Sequence, residues 1–230
     1  MQLFLKIMLI LHIIGGFTAL FVAPIALVVK KGGKQHRRWG KVYFWGMTLV
    51  IITAIFISVL KNIPFLLMVS FFSYHSIVNG YRSIYHKKLH KTKKPAALDW
   101  FIQSVAAVFN VALLAWGIYV ITSSKASVGY IATVFGVIGI TSTITGIKGL
   151  LRPPKKHYAW FLNHMGGMIG GYIATVTAFS AVNFGFMPAL YRWLWPTILG
   201  VPLLLMWQRY YSRKFEGKLK KKPATVSAES

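Results

Sequence analysis

Cysteine is absent from the 230 residues, and acids nearly so, with three Asp and Glu against 27 Lys and Arg. The first absence excludes disulfide frameworks, thiolate metal sites and cysteine nucleophiles. The second removes the paired carboxylates on which much acid/base and metal-assisted hydrolysis depends. The reading therefore leans against an enzyme, although chemistry on lipid headgroups through His36 stays open. Phosphate-binding loops are missing too. Gly32-Gly33 has no strand before it, and the other glycine pairs lie within apolar stretches. Long polar stretches are also lacking, so no soluble domain fits between the apolar runs.

Apolar residues are what the chain has in excess: 56% of it is hydrophobic and the mean hydropathy is +0.57. That is more apolar surface than one soluble core of this length can bury, which makes lipid the solvent. A net charge of +24 would suggest nucleic acid in a soluble protein. Here the bases cluster between long uncharged runs, as membrane loops do, so nucleic acid is not an expected partner. Anionic lipid headgroups at the cytoplasmic face are. The first apolar run, Ile7 to Val29, reads as a retained helix rather than a signal peptide. It is longer than a signal's apolar region, and its charge follows it from Lys30 to Lys41.

Charges delimit seven spans, at about 3–29, 42–60, 64–85, 96–122, 128–150, 158–182 and 193–211, in one domain covering 1–211. Most are near or above the ~20 residues that cross a bilayer as a helix. The expected fold is all-α, a polytopic transmembrane helical bundle. Between Arg192 and Arg209 only 16 residues remain, with Pro196, Gly200 and Pro202 among them, so the seventh span is the weakest. Residues 212–230 are basic and then rich in Pro, Ala, Thr and Ser, which predicts a disordered tail. All but Lys6, Lys61, Lys125 and Arg192 of the bases fall after spans one, three, five and seven. Such alternation predicts an outer N-terminus, a cytoplasmic C-terminus and, for a bacterial-type protein, the inner membrane.

Inside the spans a few polar groups stand out. His12 lies about 14 Å from the outer end of the first span by helical rise, on a face with Gly15, Ala19 and Ala23. The third span carries His75, Asn79, Arg82 and His86 on one face, and the fourth carries Asp99, Gln103 and Asn110. Asp99 is the only acid within the spans, with Arg82 or the Lys87 to Lys94 segment as its expected partner. In the sixth span His164 shares a face with Gly167 and Gly171, and the fifth has a seam of Ala132, Gly136, Gly139, Thr143 and Gly146. Those two seams suggest a close pairing of spans five and six.

Two candidate groupings follow. His12, His75, Asn79, Asn110 and His164 form the expected intramembrane polar centre, and His36, Arg37, Arg82 and Asp99 the expected charge cluster at the cytoplasmic interface. Buried histidine most often serves as hydrogen-bonding glue between helices, but His12, His75 and His164 also have the chemistry of haem b ligands or of a proton relay. His12 with His75 is the haem pairing whose depths agree best. No protein metal site is expected among His86, His90 and His157, because the surrounding lysines oppose a cation.

Several of these residues also carry a resemblance. The first span with His12, Gly15, Gly16 and Ala23-Pro24, the loop running into His36-Arg37 and Gly40, and His164-Met165 ahead of Thr177 to Asn183 resemble a prokaryotic multipass family, domain of unknown function 2306. That resemblance implies a seven-span-like membrane fold and gives weight to His12, His36 and His164. It implies no reaction. The functional expectation is a membrane protein of unknown activity with a polar centre. Three versions stay open: a single-haem electron-transfer protein, a proton-coupled or small-solute transporter, and a non-catalytic scaffold with a membrane-protein partner.

Overall fold

A computed structural model describes residues 1–89, 94–152 and 154–220, the last three by their backbone alone; His90 lies outside the described residues. Among the described residues seven α-helices follow one another: α1 (Gln2–Val28), α2 (Lys34–Leu60), α3 (Pro64–Arg82), α4 (Ala97–Ser124), α5 (Ser127–Leu151), α6 (Ala159–Asn183) and α7 (Ala189–Lys220). A 3-10 turn, Ser83–His86, continues α3, and no strand occurs among the described residues. The turns have local causes. Gly32 takes a positive φ of 74° between α1 and α2, and Asn62 a φ of 52° ahead of Pro64, which opens α3. Lys125 ends α4 in the left-handed region, so that α5 starts after one further residue.

Two helices outrun the spans read from the sequence. α2 begins at Lys34, which puts His36, Arg37, Arg38 and Lys41 on its first two turns and leaves a connection of only 29–33. Long basic side chains let a helix project beyond the hydrocarbon while their charges stay in water. α7 runs on to Lys220 through residues expected to be irregular. Its extension is held by Glu216, which accepts hydrogen bonds from Lys156 Nζ at 2.6 Å and Tyr158 Oη at 2.7 Å.

Among the described residues six helices are long and apolar enough to cross a membrane. The exception is α3, not the proline-containing α7 that the sequence left weakest. The polar stripe of α3 costs it hydropathy, yet α3 touches more of the bundle than any other helix, packing on α2, α4, α5 and α6. The bundle thus turns large apolar side chains outward as well as inward, and keeps a polar set within its apolar core. His75, Asp99, Gln103 and Asn110 are buried, while Phe21, Trp45, Phe101, Val108 and Leu203 face outward.

Glycine contacts set the pairing, and here the expected α5–α6 contact is corrected: those two helices do not touch. The α5 seam meets α4 instead, where a Cβ on Gly136 would stand 2.7 Å from Leu114 N, and one on Gly117 2.7 Å from Thr133 N. The α6 seam meets α3, where a Cβ on Gly80 would fall 2.7 Å from Met168 N. A row of small residues announces a close neighbour without naming it. Held apart by α3 and α7, both of which touch them, α5 and α6 leave space between them.

Candidate functional site

That space is a cavity of about 430 Å³ bounded by α3, α4, α5, α6 and α7. Asn79 and Gln103, from its α3–α4 wall, form a triangle with His75. His75 Nε2 lies 3.1 Å from Gln103 Oε1 and 2.7 Å from Asn79 Nδ2, donating to the first or accepting from the second, and Gln103 Nε2 donates to Asn79 Oδ1 at 2.8 Å. In lipid such groups must satisfy one another, and mutual hydrogen bonding offsets the cost of burying them. Gln103 has room because residue 146 is glycine: a Cβ there would stand 2.6 Å from Gln103 Oε1.

Toward the end of α3 lies the charged part of the wall. Arg82 Nε donates to Asp99 Oδ1 at 2.8 Å, the Ala96 main-chain N–H donates to Asp99 Oδ2 at 2.8 Å, and His86 Nε2 stands 3.2 Å from Asp99 Oδ1. Asp99 is the third residue of α4, where unpaired N–H groups and the helix dipole favour a carboxylate. It is 3% exposed, so its charge is buried but matched. From α5 come Thr141, Ser142 and Thr145, from α6 Asn163, from α7 Gln208, and from the α5–α6 connection Lys156 and His157. The Glu216 carboxylate and the Tyr158 hydroxyl hold the Lys156 ammonium above the usual lysine range.

A second cavity, of about 230 Å³, lies among α1, α2, α6 and the end of α3. His36 Nδ1 pairs with the Ala26 carbonyl at 2.9 Å and His164 Nδ1 with the Gly80 carbonyl at 2.8 Å. The two imidazoles are 6.2 Å apart between centroids and nearly perpendicular, at 77°. Lys31, whose Nζ donates to the Leu27 carbonyl, is pulled below the usual lysine range by partial burial.

The five residues expected to form one polar centre therefore occupy several places. His75 and Asn79 are together, with Gln103. His12 is not with them: its Nδ1 pairs with Thr53 Oγ1 at 3.0 Å between α1 and α2, and α1 does not touch α3. Nor is it level with His164. Fourteen residues separate His12 from the Ala26 that holds His36, about 21 Å of helical rise. Asn110 lies about 10 Å along α4 from Gln103, where its Nδ2 donates to Thr143 Oγ1 at 3.0 Å beside Gly139. His12 is thus separated from both His75 and His164, which disfavours the haem pairings of the sequence reading that use it. The expected charge cluster divides as well, with Asp99 on the large cavity and Arg82 paired to it, and His36 and Arg37 on the small one. Among the described residues no three His, Asp or Glu are grouped to hold a metal ion.

The sequence reading missed Thr141, Ser142, Thr145, Gln208 and Tyr43. The signal on α5 was there: Thr141 and Thr145 are one turn apart beside Ser142 and Gly146, a hydroxyl face in an apolar helix.

Compared with known families, the chain matches a family described as predicted membrane protein, domain of unknown function 2306, over residues 9–137. The match spans α1 to mid-α5 and so includes His12, His36, His75, Asn79, Arg82, Asp99 and Asn110, ending before Thr141 and His164. No curated protein and no solved structure matches.

Proposed function

The chain belongs to the predicted-membrane-protein family domain of unknown function 2306, and from that premise we propose that it is a carrier for a small polar solute. The observation that carries this reading is the cavity of about 430 Å³, to which every surrounding helix contributes hydrogen-bonding side chains. A chain under no demand to solvate a guest would fill such a space with Leu and Phe, since each polar group in a span costs free energy unless paired. The volume falls in the range of small-molecule sites, about 300–1,000 Å³. Lys156, His157 and His86 line it; Glu216 matches the charge of Lys156, and Arg82 that of Asp99, the one acid on its wall. The guest is accordingly neutral or anionic. The Asp99–Arg82 pair and the His75–Asn79–Gln103 triangle hold the wall in shape.

The cavity lies at the end of the bundle that carries the bases of the α3–α4 and α5–α6 connections. By the preference of such bases for the cytoplasm, we place that end inside the cell, with the N-terminus outside and the protein in the cytoplasmic membrane, where anionic headgroups are its lipid partners. Osmotic swelling of proteoliposomes tests the carrier. In iso-osmotic glycerol, urea, ammonium acetate and ammonium phosphate, at least one solute should enter faster than into protein-free liposomes. Thr145→Phe, which fills the cavity from α5, should abolish the increment. Equal rates for all four solutes with and without protein would remove the proposal.

A further inference from the structure

The small cavity is a second site with a different chemistry. Both imidazoles are fixed through Nδ1 on a main-chain carbonyl, His36 on Ala26 and His164 on Gly80. A carbonyl only accepts, so each Nδ1 carries a proton, and in its neutral form each ring presents a lone pair at Nε2. The same cavity is lined by Tyr43, a residue 2% exposed, whose hydroxyl lies near Thr175 but makes no hydrogen bond of good geometry. An unpaired buried hydroxyl is costly, and a ligand that engages it recovers that cost. Ala23, Ala26 and Met168 supply apolar wall and Tyr172 an aromatic one. Tyr43 follows His36 by seven residues on α2, about 10 Å of rise. That length accommodates a six-membered ring with an oxygen at each end and a hydrogen bond of about 2.8 Å beyond each.

We propose that this cavity binds the head ring of a membrane-borne quinol, one ring hydroxyl donating to one of the two imidazoles and the opposite oxygen engaging the Tyr43 hydroxyl. Lipid brings such a molecule to the bundle, and the apolar walls fit its ring. Competing ligands fit less well. The lone pairs at Nε2 repel an anion's oxygens, and a metal ion held by two imidazoles beside Arg37 and Lys41 meets fixed positive charge. At about 230 Å³ the cavity is too small for a porphyrin. The proposal concerns binding only and includes no electron transfer.

The test is an anaerobic titration of the detergent-purified protein with decyl-benzoquinol and, separately, its oxidised quinone, followed by quenching of intrinsic fluorescence. Because the imidazoles accept and do not donate, the reduced form should bind at least tenfold more tightly. Tyr43→Phe should weaken it about tenfold with an unchanged melting temperature, and Ala26→Phe should fill the cavity and abolish binding. Tyr43→Phe carries the test alone should Ala26→Phe fail to fold. Equal affinity for the two forms, indifference to Tyr43→Phe, or displacement of the quinol by millimolar inorganic phosphate or zinc would overturn the proposal. Swelling rates in Tyr43→Phe proteoliposomes should match those of the parent, which separates this site from the solute cavity.

Discussion

Replacing Asp99 probes the charged wall of the large cavity. Asp99→Ala removes the acceptor for Arg82 and for the Ala96 N–H and leaves His86 beside a cation. Breaking a fully buried ion pair costs about 3–5 kcal/mol. Arg82, however, is 20% exposed and can reach water, so its stranded charge costs less. Loss of a helix N-terminal acceptor adds roughly 1 kcal/mol. The expected destabilisation is about 2–4 kcal/mol. Asp99→Asn keeps one oxygen, enough for Arg82 Nε or the Ala96 N–H but not both, and loses the charge, so it should cost somewhat less than the Ala variant, about 1.5–3 kcal/mol. Arg82→Ala combined with Asp99→Ala should be less damaging than the sum of the single changes by about 1.5–3 kcal/mol, because the second removal relieves the first. Reversible unfolding of the purified protein in mixed detergent and dodecyl sulfate micelles, followed by circular dichroism, measures all four. Additivity within about 0.5 kcal/mol, or an Asn variant as unstable as the Ala variant, would refute the pairing as the source of stability.

Two other expectations concern packing and the α7 extension. Gly80→Ala places a Cβ 2.7 Å from Met168 N and 2.9 Å from Gly167 C, main-chain atoms that cannot swing aside. It should destabilise by about 1–3 kcal/mol in the same unfolding assay, whereas Gly16→Ala, with open space around it, should be neutral or stabilising. Lys156 gains its partner Glu216 in the folded chain and is held above the usual lysine range, so the contribution of this pair is full below that range and is lost as pH rises through it. Amide exchange in residues 212–217, corrected for intrinsic rates, should then show equal protection at pH 7 and 9. Because the pair is exposed, 1 M salt should lower that protection.

Much of the fold was legible because lipid imposes one simple demand: long uncharged runs that close their own hydrogen bonds. Helix ends fell where Gly32, Asn62-Ile63-Pro64 and Lys125-Ala126 break the runs, and Asp99 found Arg82 because opposite charges one turn inside the same boundary have few other choices. Which helices adjoin was not legible. Gly136 and Gly167 carry the same pattern, yet one meets Leu114 and the other Gly80. Nor was convergence. His12 and His75 look alike along the chain, but only α3 is central enough to bring a histidine to a shared wall. Tyr43 was invisible because an orphaned hydroxyl is a property of the assembled bundle and leaves no mark on the sequence.

The central place of α3 bears on how the protein is made. A ribosome releases this helix while the groups that neutralise its stripe, Asp99 and Gln103 on α4 and the Gly167 face of α6, have yet to be synthesised. On its own α3 is a poor candidate to partition into bilayer, so it has to linger at the insertion channel or beside a chaperone until those segments arrive. Released chains truncated before residue 97 should leave α3 open to a water-borne label, and chains extending past residue 183 should shield it.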